Sequence, residues 1–361
     1  MKKMKLVLEN GQEYCGTGYG SGAAAVGEVV FNTSMVGYQE IASDPSYTGQ
    51  IVVMTYPLIG QYGITAEDYE ARNAGPAGLV VRECCETPSN FRFTKTLSEE
   101  LEEHGVPCLS GVDTRMLTRA IREQSGDTLI RGAIVDDSVS TGEAVRLIRE
   151  TAPESNPVSK VSCTKRWFSR TANHRFDVVA LDCGIKHSIV VALNRRGCNV
   201  TVVPFDTAAE DILAFNPDGL LICGGPGSPE AAKGIVPVIN ALKGKLPIAG
   251  ISLGHLLIAM SYGAGTKICR HHGGRPVRKI AGAETEGRII TAEHNHCYTV
   301  DPESIAGTEL SVSYVDVADG SIEGLECRKD RICSVQFSPE GAPGPQESDF
   351  FDKFIKTMEE A

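Results

Sequence analysis

Between Leu246 and Met260 the chain passes from the short apolar run Leu246-Pro247-Ile248-Ala249, through Gly250-Ile251-Ser252-Leu253-Gly254-His255, into the helical pattern Leu256-Leu257-Ile258-Ala259-Met260. An apolar strand that turns at once into an apolar helix belongs to βαβ architecture, where both faces of a parallel sheet are covered. This stretch therefore commits its part of the chain to an α/β fold. Ser252 sits at the turn itself. Glycines on both sides relieve backbone crowding there, and the N-terminus of the following helix favours developing negative charge.

The rest of the carboxy-terminal half reads the same way. Strand patterns at Val178-Val179-Ala180-Leu181, Val200-Thr201-Val202-Val203 and Gly219-Leu220-Leu221-Ile222 alternate with helical ones. The segment Cys223-Gly224-Gly225-Pro226-Gly227-Ser228-Pro229 follows the third strand. Its backbone N–H groups can approach a ligand closely, as an oxyanion hole or a carboxylate grip; a tight strand-to-helix connection would use the same residues. Taken alone, Gly250-Ile251-Ser252-Leu253-Gly254 matches G-x-S-x-G of the α/β-hydrolase type, and close packing also produces that pattern.

Residues 1–150 start with strand patterns at Leu6-Val7-Leu8, Glu28–Phe31 and Gln50–Met54, separated by Gly-rich turns. Helical spacing follows over Leu97–His104 and Asp113–Glu123, with Ser98 and Asp113 as expected caps. Residues 151–175, with Pro153, Pro157 and many Ser/Thr, read as a linker to a domain over 176–361. A chain of 361 residues can bury two cores. Its net charge of −11 excludes the basic footprint of a nucleic-acid binder. No apolar run approaches the roughly 20 residues that span a bilayer, and Leu6-Val7-Leu8 is too short for a signal-peptide core, so a cytosolic location is expected. The 12 cysteines form no C-x-x-C pair and read as buried small hydrophobes.

From Asp182-Cys183-Gly184-Ile185-Lys186 onward, ordered motifs resemble a class I glutamine amidotransferase domain. They include Gly224-Gly225-Pro226-Gly227, the elbow with His255, His271-His272-Gly273-Gly274-Arg275-Pro276, Asn295-His296-Cys297-Tyr298 and Ser338-Pro339-Glu340. Upstream, Gly27–Glu40, Asp44-Pro45-Ser46-Tyr47, Ser89-Asn90-Phe91-Arg92 and Val112–Arg119 resemble the small subunit of carbamoyl-phosphate synthetase. The resemblance spans nearly the whole chain. It implies an N-terminal mixed α+β domain followed by a parallel-sheet amidotransferase domain, with a large partner subunit that carries ATP and a divalent metal. Glutamine is the candidate ligand, and no cofactor is expected on this chain.

In that family a Cys attacks the glutamine amide, a His moves the proton and a Glu orients the His. Here the resemblance places Ser252 at the Cys position and Ser338 at the His position, and it keeps Glu340. A serine hydroxyl depends on a base more than a thiol does, and Ser338 cannot be that base, so Glu340 is left with no imidazole to orient. Ser46, Gly225, Gly227, Leu253 and Asn295 keep the family's ligand-site identities. Leu256 stands where the family has a ligand-contacting Gln, and Cys297-Tyr298 stands where it has Gly-Phe. His255 is read as oriented by its helix and not as the base. His271, His272, His294 and His296 are read as separated, solvated or structural histidines, with no metal set. The acidic pairs Glu99-Glu100 and Glu102-Glu103 read as a hydrated helix face. Three functions stay open: a non-catalytic small subunit, a glutaminase using Ser252 with another base, and a serine hydrolase or ligand-sensing module.

Overall fold

The computed structural model describes residues 2–71, 75–123, 128–269, 273–280, 287–342 and 347–361. Two compact units divide the chain, Met1–Ser155 and Asn156–Ala361.

The first unit is built on a closed barrel. Around it run Lys2–Leu8, Glu13–Gly20, Pro107–Ser110, Gly78–Val81, Gln50–Met54, Ala25–Asn32 and Arg131–Asp136. The four strands from Ala25–Asn32 to Pro107–Ser110 are parallel, and the remaining pairings are antiparallel. Period-two alternation fills it. Met4, Leu6 and Leu8 turn into one core with Val29, Phe31, Ile51 and Val53, while Val7 turns the other way and packs with Ala133, Val135, Ala144 and Ile148. Leu97–Glu103 is helical, but its cap is Thr96, whose side chain and Glu99 form a capping box. Ser98, the expected cap, instead accepts a hydrogen bond from the Gly20 N–H at 3.1 Å. Asp113 caps Thr114–Glu123 through the Met116 N–H at 2.9 Å.

The second unit is a twisted sheet with a parallel centre. Cys198–Pro204, Phe176–Asp182, Gly219–Ile222, Ile248–Ile251 and Ile332–Val335 lie side by side in parallel, and antiparallel strands extend the sheet from Ile322–Cys327 through Ser311–Asp316 to Gly273–Lys279 and Ile289–His294. Alternation again sorts the faces. Val179 and Leu181 join Leu220, Ile222, Ile248 and the helix Leu253–Ser261 on one face. Val178 and Ala180 join Leu221, Ala249, Ile251 and the helices His187–Arg195 and Phe350–Glu359 on the other. Burial on both faces is what a parallel sheet requires. Part of the stretch read as linker is ordered within this unit: Val158–Val161 forms a helical turn, and Trp167–Ser169 pairs antiparallel with Cys198–Pro204.

Candidate active site

Ser252 has φ 52 and ψ −108, between the strand Ile248–Ile251 and the helix Leu253–Ser261. Among the described non-glycine residues only Asn216 and Arg331 share a positive φ with it. Such a conformation costs about 1–3 kcal/mol and persists only where the surroundings impose it. Two close approaches do so here. A Cβ on Gly254 would lie 2.2 Å from the Ile222 carbonyl oxygen, and one on Gly250 would lie 2.9 Å from the Gly254 carbonyl carbon. The absence of side chains therefore lets the helix press onto the strands, and the chain must turn sharply at Ser252. The Ser252 N–H is anchored by donation to the Val335 carbonyl at 2.9 Å.

The glycine loop lies beside this elbow. A Cβ on Gly224 would stand 3.4 Å from Ser252 Cβ, in ordinary contact. Gly225 backs onto the Cys183 carbonyl, where a Cβ would come within 2.0 Å, and Gly227 has φ +86 with Pro157 filling the space a side chain would need. Elbow and loop thus form one backbone-lined corner at the carboxyl ends of neighbouring strands. Ligands bind at that edge in open α/β sheets. Cys183 and Cys223 lie at the same edge, but burial pushes both thiols above their ordinary range, so neither is a ready thiolate.

The other two family positions have acquired different partners. Ser338 is pinned through its N–H to the Glu293 carbonyl at 3.0 Å. It lines a cavity of about 230 Å³ with Lys279, Tyr314 and Asp349, and Ser252 is absent from that lining. Glu340 is deeply buried and ion-paired with the buried Lys186, whose ammonium also donates to the Ala342 carbonyl at 2.8 Å. The carboxylate that the sequence leaves without an imidazole to orient is thus paired with a lysine. Asp182 orders the start of that motif by accepting from the Gly184 and Ile185 N–H groups at 3.0 and 2.9 Å.

His255 is wholly buried. The Ser334 hydroxyl points at the Leu325 carbonyl at 3.4 Å, so it accepts from His255 Nδ1–H at 2.9 Å and leaves Nε2 as the unprotonated nitrogen. Burial pushes this imidazole down to about 3. Leu253 and Leu256 are buried in the apolar cluster with Ile222 and Leu257. Asn295 to Cys297 bridge Ile289–His294 and Tyr298–Val300; Cys297 is buried, its carbonyl accepts from the Cys269 N–H at 2.7 Å, and Tyr298 is half-buried. Ser46 belongs to the first unit, in a turn whose Asp44 carboxylate accepts its N–H at 2.8 Å. His271 and His272 lie outside the described residues.

One reading of the histidines changes. His294 and His296 are not separated: His294 Nδ1 lies 3.0 Å from His296 Nε2, and both stand against the buried Glu323. Sequence reasoning also missed Lys186 and Gln336. Lys186 had a signal, since it ends the motif Asp182–Lys186; Glu323 and Gln336 carry none, because only strand pairing brings them together.

Comparison with known proteins gives a consistent result. Residues 6–132 match the family model of the carbamoyl-phosphate synthase small chain, CPSase domain, and residues 179–358 that of glutamine amidotransferase class-I. The carbamoyl phosphate synthase small chain of Fusobacterium nucleatum is 42% identical over 99% of each chain. The pyrimidine-specific small chain of Halalkalibacterium halodurans is 44% identical over 99% of this chain and 97% of its own. The carbamoyl phosphate synthase small chain of Listeria innocua is 41% identical over 99% of this chain and 97% of its own.

Proposed function

This chain belongs to the carbamoyl-phosphate synthase small-chain family and carries a class I glutamine amidotransferase domain, and we propose that it is a small subunit whose glutaminase has been lost. Its remaining task is to bind and support a large subunit that makes carbamoyl phosphate from free ammonia, bicarbonate and ATP, for pyrimidine or arginine synthesis. ATP and its divalent metal belong to that partner.

The observation that carries this reading is the state of the relay. The position of the general base is a serine tied by its backbone to Glu293, and the orienting carboxylate is taken by Lys186. The histidine nearest the elbow in sequence is committed to Ser334 and too weakly basic to act at neutral pH. Removing single members of a nucleophile–base unit costs about a million-fold in turnover, and the losses are not additive because the members act together. Here both nucleophile and base differ. The first unit supports the second half of the proposal. Met35, Val36 and Phe91 are 71%, 60% and 94% exposed. Their loops are tied to one segment, since the Gly37 N–H donates to Tyr62 Oη at 2.9 Å and the Ser89 N–H donates to the Gln61 carbonyl at 3.0 Å. Exposed apolar side chains on loops anchored to the same segment suit a protein interface.

Reconstitution tests it. The chain mixed with its large subunit should support ammonia-dependent carbamoyl phosphate synthesis and release no glutamate from glutamine above a no-protein control. A glutamine turnover of about 1 s⁻¹ or more that disappears in Ser252→Ala would overturn the loss of glutaminase. That outcome would favour the second reading, a working Ser252 with another base, whose one support is that the strained elbow backbone persists.

A further inference from the structure

Three side chains from separate elements meet in the interior of the second unit: His294 at the end of the strand Ile289–His294, His296 two residues on, and Glu323 in the strand Ile322–Cys327. All three are buried, Glu323 completely. His294 Nδ1 lies 3.0 Å from His296 Nε2 and 3.4 Å from Glu323 Oε2, and His296 Nε2 lies 3.9 Å from that same oxygen. Donors about 2.0–2.1 Å from a tetrahedral zinc ion stand about 3.3–3.4 Å apart, and the three separations straddle that value. The nearest point equidistant from the three atoms, about 2.0 Å from each, lies in their plane, so closing the His296–Glu323 separation from 3.9 Å toward about 3.4 Å is what lifts the ion out of that plane and opens a fourth position.

The outer contacts of His296 and Glu323 suit the same arrangement. His296 Nδ1 donates to the Tyr298 carbonyl at 2.9 Å, which leaves the lone pair of Nε2 facing the other two donors. Metal-bound histidines are oriented in this way, with the second nitrogen on a carbonyl or carboxylate. Glu323 Oε1 accepts from the Ser321 hydroxyl at 3.0 Å, so its carboxylate is oriented too. The inward oxygen, Oε2, is buried and has no hydrogen-bond donor. Next to it, the Gln336 N–H donates to the Glu323 carbonyl at 2.9 Å, which places both side chains on one face of adjacent strands. The Gln336 amide is buried as well, with neither its oxygen nor its nitrogen hydrogen-bonded. Unsatisfied polar atoms gathered in a core cost free energy unless something completes them.

We propose that His294, His296 and Glu323 bind a divalent transition-metal ion of the zinc class, with the Gln336 amide oxygen or a water as the fourth ligand. Two imidazoles and a carboxylate are the donor set that suits zinc and its neighbours over magnesium or calcium. The ion neutralises Glu323, whose ionisation burial otherwise disfavours. It fastens the antiparallel extension of the sheet to the Asn295–Tyr298 loop, and its role is structural.

The full chain, purified without chelator, is expected to carry one zinc ion per chain by elemental analysis. Stripped and refilled with Co²⁺, it should show visible tetrahedral d–d bands without a thiolate charge-transfer band, which excludes binding by the 12 cysteines. Zn²⁺ should raise the Tm of the stripped chain. Glu323→Gln removes one ligand and a buried charge together, so it should fold yet bind Zn²⁺ at least about 100-fold more weakly, since losing even an outer-sphere partner costs 10- to 100-fold. Glu309→Gln, in the separate group of Glu309, Cys327 and Asp330, should change nothing. A chain that retains no metal, gains no stability with Zn²⁺ and takes up no Co²⁺ overturns the proposal and leaves a neutral hydrogen-bonded pair of histidines. So does a Co²⁺ spectrum that Glu323→Gln leaves unaltered.

Discussion

Ser252 has the backbone of a nucleophile elbow, and under the proposed loss of glutaminase its backbone and its chemistry can be separated by mutation. Glycine adopts φ 52, ψ −108 without the clash of a Cβ. Ser252→Gly should therefore release part of the 1–3 kcal/mol of strain, set against the extra freedom of glycine in the unfolded chain. We expect a net gain of roughly 1 kcal/mol, read as a Tm higher by about 2–4 °C for a unit of this size. A lower Tm would mean that the serine side chain stabilises the elbow. Restoring the reaction is harder. Ser252→Cys alone should stay silent, because a thiol without an aligned base has neither activation nor a donor for the leaving ammonia. Adding Ser338→His supplies an imidazole to carry the proton, yet Glu340 must first leave Lys186 to orient it. Leu256→Gln and Cys297→Gly should restore ligand contact and space, although Leu256 is 3% exposed, so its replacement must be checked for folding. Glutamate release should appear only in combined variants and far from additively. Robust hydrolysis by Ser252→Cys alone would show that another histidine already acts as base.

The strand, elbow and helix around Ser252 could be read from the sequence because period and glycine placement are local signals. The two-sided apolar sheet followed from runs such as Val178–Leu181 for the same reason. Closure of the first unit could not be read: it depends on pairings such as Ala25–Asn32 with Arg131–Asp136, more than a hundred residues apart. The Lys186–Glu340 pair and the His294–His296–Glu323 cluster were hidden likewise, since residues distant in sequence meet only when strands and loops assemble. Thr96 outcompeted Ser98 as a cap because its side chain reaches the Glu99 N–H while Glu99 reaches back. The buried Lys186–Glu340 pair and His255 have testable energetics. Glu340→Gln leaves Lys186 buried without its counter-charge and should cost about 3–5 kcal/mol, whereas Lys186→Met with Glu340→Leu should cost much less. Chemical denaturation of the two variants against the unaltered chain measures this, and equal losses would mean the pair matters through packing alone. His255 supplies a pH dependence. Its folded value, about 3, lies below the ordinary 6.5, so the unfolded chain binds more protons across that window. Stability is then fully present above pH 6.5 and falls as the pH drops toward 3. His255→Gln should shrink the loss between pH 7 and pH 5 by roughly 2 kcal/mol.

Across the whole chain, the first unit's motifs and the second unit's altered relay point in one direction. Gly27–Tyr47 and Val112–Arg119 supply most of one barrel strand, a short helix and part of another, and the loops beside them, and none of the relay. Their retention beside serines at positions 252 and 338 is understandable if assembly is the surviving requirement. Met35 and Phe91 are the residues to alter, because they are 71% and 94% exposed and removing them takes nothing from a core. Surface substitutions of this kind usually change stability by no more than about 0.5 kcal/mol. Met35→Asp with Phe91→Asp should thus leave the Tm of the isolated chain unchanged within error. Introducing two carboxylates into a desolvated apolar contact should weaken association with the large subunit by at least tenfold, since interface anchors commonly cost more than 1 kcal/mol on truncation and a buried unpaired charge costs more still. Titration of the purified partners by calorimetry measures both quantities on the same samples. If the wild-type chain and its large subunit fail to associate at micromolar concentrations, the supporting role falls. If they associate and the double variant binds equally well, the interface lies elsewhere on the chain and the exposed apolar loops serve another end.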